Sequence, residues 1–271
     1  MTVGLSEAAS WLSPSIRRAV VPTIPNCSAV LSVVWGWMSG MTVIDLARQL
    51  PGIAELREHC RALATLEAVI SPDWESRYYS FNSAWAPGQQ MASMRDGSGN
   101  EWSIVFSAAG AYVRGFDHES PMTPYGSDND GPWPGVLDTV PEAFREFVEE
   151  PAFCDEDGMP VVIACLWRGG DDDCWQTGEI EFPDERTDPD GADALFELLA
   201  DRSPEAYVRF AEDYYETSLN LASVTAVLSR QPLTATLVAT LNPDVTLENL
   251  AADLAEIGNV ADAQGATSST T

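Results

Sequence analysis

Residues Gln89–Met122 read QQMASMRDGSGNEWSIVFSAAGAYVRGFDHESPM. Three runs within it, Gln90–Arg95, Glu101–Ser107 and Ala111–Phe116, alternate at period 2, the spacing of a strand with two unlike faces. In the first run Met91, Ser93 and Arg95 share one face, and Ala92 and Met94 share the other. Asp96-Gly97-Ser98-Gly99-Asn100 joins the first two runs, and Ala108-Ala109-Gly110 joins the next two. Glycine in both connections supplies the positive φ that tight hairpins need. The stretch therefore predicts an antiparallel meander that delivers the chain into a polar loop beginning Asp117-His118-Glu119-Ser120.

Upstream, Ile44, Leu46, Leu50, Ile53, Leu56, Cys60, Leu63, Leu66 and Val69 recur at helical spacing. Pro51-Gly52 divides them into a short helix and a longer one over Ile53–Ile70, which carries His59 as a solvated or half-buried residue. Arg77–Asn82 reads as the first strand. Residues 1–40 differ from the rest: Arg17-Arg18 precedes an apolar stretch broken by Pro22 and Pro25, with no A-x-A-like cleavage site after it. Its longest clean run, Val30–Met38, is far short of the roughly 20 residues of a membrane span. We read 1–40 as an extension, either disordered or upstream of a natural start at Met41.

Downstream, Asp117–Thr139 is a long connection whose prolines and aromatics predict a packed loop. Pro141 opens a short amphipathic helix with Phe144, Phe147 and Val148 on one side. Val161–Trp167 is a continuous apolar run, read as a central buried strand, and Cys174–Phe182 as its return. Helices are expected from Asp188-Pro189 through Leu199, from Ser203-Pro204, around Leu221–Leu228 and Leu233–Leu241, and over Leu247–Ile257 with Gly258 as the stop. The expected architecture is α+β: one domain over 41–258, a mostly antiparallel sheet, N-terminal helices, a helical C-terminal third, and a disordered tail over 259–271.

The chain of 271 residues carries 42 acids against 14 Arg and no Lys, a net charge of −28. Twenty-eight of those acids lie between Asp117 and Glu216, with five Arg, for −23 over that segment. A field of this sign repels nucleic acid and anionic lipid and attracts basic partners or cations; it also serves solubility. Direct nucleic-acid binding and membrane binding are disfavoured. Cys27, Cys60, Cys154, Cys165 and Cys174 form no regular pattern, so they read as reduced, mostly buried thiols of a cytoplasmic protein.

Two kinds of chemistry have candidates. His118, flanked by Asp117 and Glu119 at a strand end, has the residue types of a general base whose pKa neighbouring carboxylates raise. The alternative is a polar loop in which His118 fixes the turn. Three turns end in Asp-Gly: Asp128-Asn129-Asp130-Gly131, Asp155-Glu156-Asp157-Gly158 and Asp188-Pro189-Asp190-Gly191. Aligned on their glycines as calcium loops, position 1 would be Gly126, Phe153 or Arg186, none of which can ligate, so turns and helix caps are the preferred reading. No Walker loop, Rossmann fingerprint, G-x-S-x-G or H-E-x-x-H occurs, and the residues imply neither metal nor cofactor.

Binding is the remaining class. Asp117, Glu119, Trp133 and the turn Asp171, Asp172, Asp173 would give a basic partner an acidic face with an aromatic anchor. In type and charge this resembles the toxin-neutralising immunity proteins of bacteria, cytoplasmic α+β proteins that are often acidic. The resemblance implies neutralisation of a basic toxin or nuclease without catalysis, and it assigns no functional residue. The stretch from Arg77 to Tyr125 also resembles bacterial proteins of no assigned activity. An enzyme using His118 and a scaffold whose charge serves only solubility are the alternatives.

Overall fold

The computed structural model describes residues 40–126, 130–183 and 188–259, all within one compact unit, Trp35–Thr271. The expected extension (apart from Gly40), the expected tail (apart from Asn259) and half of the Asp128–Gly131 turn, Asp128 and Asn129, lie outside the described residues. Six strands form one sheet: β1 (Tyr79–Ala86), β2 (Gln89–Arg95), β3 (Glu101–Ser107), β4 (Gly110–Phe116), β5 (Ala164–Gly169) and β6 (Gln176–Thr177). Their spatial order is their sequence order, and every pairing is antiparallel. Helices α1 (Val43–Gln49) and α2 (Ile53–Ile70) precede the sheet, and α3 (Arg145–Val148) lies in the long connection from β4 to β5. After the sheet come α4 (Ala192–Leu195), α5 (Glu197–Ala200), α6 (Pro204–Tyr214), α7 (Leu221–Leu228), α8 (Ala235–Leu241) and α9 (Ala251–Ile257). The α+β meander is as the sequence predicts.

Both faces of the sheet are covered. On one, Trp102 and Gly115 are paired neighbours; Trp102 stacks on Phe196, whose ring leaves no room for a side chain at Gly115. The same face carries Phe81 and Phe106 toward Arg61 of α2. On the other, Tyr112 packs on Phe144 and Phe147, and Arg114 lies 4.8 Å over the Phe153 ring. The 117–163 connection is thus a third layer, which is why all seven residues of β4 are buried. Arg114 is nearly inaccessible there; its guanidinium donates to Glu101 and to the Val161 carbonyl at 2.8 Å.

Four expectations are corrected. β1 begins at Tyr79, because Arg77 turns inward and donates to the carbonyls of Ser71 (2.8 Å) and Pro72 (3.0 Å) and to Asp253 (2.7 Å). The apolar run at Val161 enters the sheet only at Ala164 and forms the fifth strand, not a central one; Val162 and Ile163 are buried before it begins. Of Cys174–Phe182, only Gln176–Thr177 pairs as strand. The helix expected over Asp188–Leu199 is two single turns, broken at Phe196 (φ −111°, ψ 18°), whose ring wedges against Gly115.

Asp190 lies in the turn before α4 and is buried. One carboxylate oxygen accepts the Val43 N–H at 2.8 Å, capping α1 from across the chain, and the other accepts Ala192 N–H at 3.3 Å. Burial raises its pKa from 3.8 to about 6 against the pull of those donors. The carboxyl is therefore harder to ionise folded than unfolded. Its contribution is fully present below about pH 3.8 and is lost as pH rises through about 6, by roughly 3 kcal/mol. Denaturant unfolding at pH 4 and pH 7.5 should show the native chain losing that much more stability than Asp190→Asn over the interval. Equal losses would disprove a raised pKa.

Candidate functional site

The Asp117–Ser120 loop is held by its own polar groups. The Asp117 carboxylate accepts the Glu119 N–H at 2.8 Å, an Asx turn, and its side chain packs against Gly191. Buried Ser120 donates to the Pro189 carbonyl at 2.8 Å and accepts Met122 N–H at 3.0 Å. His118 is exposed over the β2–β3 hairpin; its Nδ1 is 2.8 Å from the Asn100 amide oxygen, which also accepts the His118 N–H at 3.1 Å. Among the described residues it hydrogen-bonds to no carboxylate. The geometry is that of a turn stapled to the neighbouring hairpin, and it gives the general-base reading no support.

The other histidine, His59, is half-buried on α2, with Nε2 2.8 Å from the Leu198 carbonyl; burial lowers its pKa. Asp155 accepts the N–H groups of Asp157 (3.0 Å) and Met159 (2.9 Å), which close its turn. Among the described residues no group of three or more His, Cys, Asp or Glu is arranged to hold a metal. No helix among them is long and apolar enough to cross a membrane.

The acidic residues expected to form one face fall at two ends of the sheet. Along β4 (Gly110–Phe116), Gly110 pairs with Gly169 and Gly115 with Ala164. Asp171, Asp172 and Asp173 lie just past Gly169, whereas Asp117 and Glu119 lie beyond the opposite end of β4. Seven strand residues set these ends about 20 Å apart. Asp172 is occupied structurally, accepting the Gly169 N–H at 2.8 Å, while Asp171 and Asp173 are exposed.

Trp133 is half-buried, and its indole donates to the Glu181 carbonyl at 2.9 Å. It lines a groove of about 340 Å³ together with Pro134, Asp138, Thr139, Glu179 and Glu181. The groove is built by close backbone approach. Gly135, at φ +88°, passes so near residue 179 that an added Cβ would lie 2.2 Å from the Glu179 carbonyl oxygen; a Cβ on Gly178 would lie 1.7 Å from that of Gly135. Contact at this distance clamps residues 133–135 against 178–181 and sets Asp138, Glu179 and Glu181 in the lining beside one tryptophan. Asp138 also accepts the Gly135 N–H at 3.0 Å, and Arg145 reaches only its backbone carbonyl, at 3.4 Å. Among the described residues no basic side chain lines the groove. Glu179, Glu181 and Asp138 were not singled out from the sequence; the Gly-Pro-Trp-Pro-Gly run around Trp133 was the signal that the chain folds back tightly there.

Tyr125 is a second aromatic that the sequence did not single out. It is 56% exposed, stands edge-on to Phe116, and has its pKa raised by desolvation and by the neighbouring Asp155 carboxylate.

Fold and groove together define an acidic α+β protein with a carboxylate-and-indole recess on its surface. Comparison with protein-family models, curated proteins and solved structures gave no significant match.

Proposed function

We propose that the chain is a non-enzymatic binding protein for a basic protein partner, of the kind a toxin-neutralising immunity protein would engage. The observation carrying this reading is the Trp133 groove, lined by three acidic residues and an indole, with no basic residue among the described lining. A lysine or arginine side chain fits such a recess, because its charge meets carboxylates while its stem or guanidinium lies on the aromatic ring. The −28 net charge, concentrated in 117–216, would draw a basic partner in from a distance. Asp171 and Asp173 contribute to steering, and Trp133, Glu179 and Glu181 to the docked contact.

The test is capture of a partner from the source cell lysate, followed by kinetics at two ionic strengths. The Debye length falls from about 30 Å at 0.01 M to about 10 Å at 0.1 M salt. The on-rate is expected to fall by about ten-fold over that range, with a smaller change in off-rate. Changing Asp171 and Asp173 to Arg should mainly slow association, whereas Glu179→Gln with Glu181→Gln should mainly speed dissociation. Retention of no basic protein, or an on-rate indifferent to salt, would leave the charge a solubilising feature and remove this reading.

A further inference from the structure

A second recess, of about 480 Å³, lies among α2, the α7–α8 turn and the end of α9. Ala62, Val227, Leu233 and Leu254 give it apolar walls, and Arg61 and Arg230 are among its lining residues. A volume of this size is within the range of small-molecule sites, and its lining is mixed, polar and apolar in nearly equal parts.

Arg230 is unusual in two independent ways. First, it ends α7 in the left-handed conformation, φ +60°. Arg230 N–H donates to the Val227 carbonyl and Gln231 N–H to that of Ala226, the paired bonds of a Schellman cap. The end of α9 makes the same two bonds, Gly258 to Ala255 and Asn259 to Leu254, with glycine at the left-handed position as the conformation favours. At α7 the chain holds an arginine in a place where glycine would be more stable. Second, the chain has three acids for every arginine, yet the Arg230 side chain makes no hydrogen bond, ion pair or ring contact among the described residues. A strained backbone presents an uncommitted cation at the rim of a recess.

Arg61 adds to it. Its Nη1 donates to Glu58 at 3.1 Å and its Nη2 to Gln90 at 3.4 Å, while its buried Nε has no partner. Glu58 also lines the recess, but it is shared with Arg57 at 3.6 Å, so two guanidiniums surround that one carboxylate. The balance at the recess is positive inside a strongly negative protein.

We propose that this recess binds a small amphiphilic monocarboxylate, its head group at Arg230 and Arg61 and its apolar body on Ala62, Val227, Leu233 and Leu254. A single negative charge suits the site better than a phosphate dianion. Arg61 is already partly neutralised by Glu58, and the field of the whole chain opposes added negative charge.

Octanoate and its uncharged counterpart 1-octanol, titrated calorimetrically against the full chain at constant ionic strength, test the proposal. Octanoate should bind at least ten-fold more tightly than octanol. Arg230→Gly should weaken octanoate by about ten-fold, leave octanol unchanged, and raise the ligand-free Tm by about 2–4 °C through relief of the left-handed strain. Arg230→Gln, which keeps that strain, should lose octanoate to the same extent without the rise in Tm. No saturable binding of octanoate up to about 10 mM, equal affinity for octanoate and octanol, or undiminished octanoate binding in both variants would each overturn it.

Discussion

Replacing Glu67 with leucine is expected to destabilise the fold by about 3–5 kcal/mol, read from urea unfolding. Glu67 is fully buried on α2. Its carboxylate accepts the Tyr207 hydroxyl at 2.7 Å, the Tyr215 hydroxyl at 2.5 Å, and the N–H groups of Tyr78 at 2.9 Å and Tyr79 at 3.4 Å. One side chain thus joins α2 to Tyr78 and the first residue of β1 and to α6 with the Tyr215 that follows it. Around it pack the rings of Tyr78, Tyr79, Phe210, Tyr214 and Tyr215, edge-on or tilted except for the stacked pair Phe210–Tyr214. A leucine would leave the Tyr207 hydroxyl and the Tyr79 N–H buried without the acceptor they use, each costing about 1–3 kcal/mol before relaxation, while the Tyr78 N–H keeps the Tyr215 hydroxyl at 3.2 Å and that hydroxyl keeps the Ser76 carbonyl at 3.5 Å. Glu67→Gln keeps an acceptor for the N–H groups, and the hydroxyls can rotate to its amide, so its loss should stay within about 2 kcal/mol. Burial raises the Glu67 pKa even against four donors. Its contribution is therefore greatest at low pH and falls as pH rises through the folded-state pKa, a dependence that the Gln variant should lack. A leucine variant as stable as the native chain would show that the network contributes nothing net.

Gly178→Ala is expected to cost about 3 kcal/mol and to abolish the Trp133 groove. The new methyl would lie 1.7 Å from the Gly135 carbonyl oxygen, a backbone atom that can move only with its loop. Residues 133–135 would separate from 178–181, breaking the indole bond to the Glu181 carbonyl and dispersing Asp138, Glu179 and Glu181. Hydrogen exchange should report it directly, with faster exchange of the Val136 amide, which donates to the Trp133 carbonyl within this loop, and no change in the β2–β3 amides. Under the proposed function, partner affinity should fall with it. Unchanged exchange at Val136 would mean that the two segments are not clamped.

Much of the architecture was legible in the chain because its signals are local. Period-2 runs with glycine between them set β2, β3 and β4 to within a residue, and β-pairing between adjacent hairpin strands needs no long-range information. Helix ends behaved likewise: α2 matches its expected bounds, Ser203 caps α6, and Gly258 closes α9. Errors arose where a distant group decided the outcome. Arg77 left the strand pattern for carbonyls at Ser71 and Pro72 and a carboxylate on α9, and Phe196 broke a helix by wedging against β4.

The sites were less legible for the same reason. His118 was conspicuous by rarity and by neighbouring acids, but a loop residue's role depends on where its side chain points, and it points at Asn100. Glu67 stood in plain view, an acid one residue past Leu66 on an otherwise apolar helix face, yet only α6 and β1 supply the hydroxyls and N–H groups that make it tolerable. Composition by itself determined the acidity and where along the chain it lies, because charge is a property of residues. Tertiary structure alone decided which charges meet. The sheet set Asp117 and Asp171 at opposite ends, while glycine contacts at 135 and 178 drew Asp138, Glu179 and Glu181 around Trp133. Distances between carboxylates depend on register and backbone approach, and neither is written in the order of the acids.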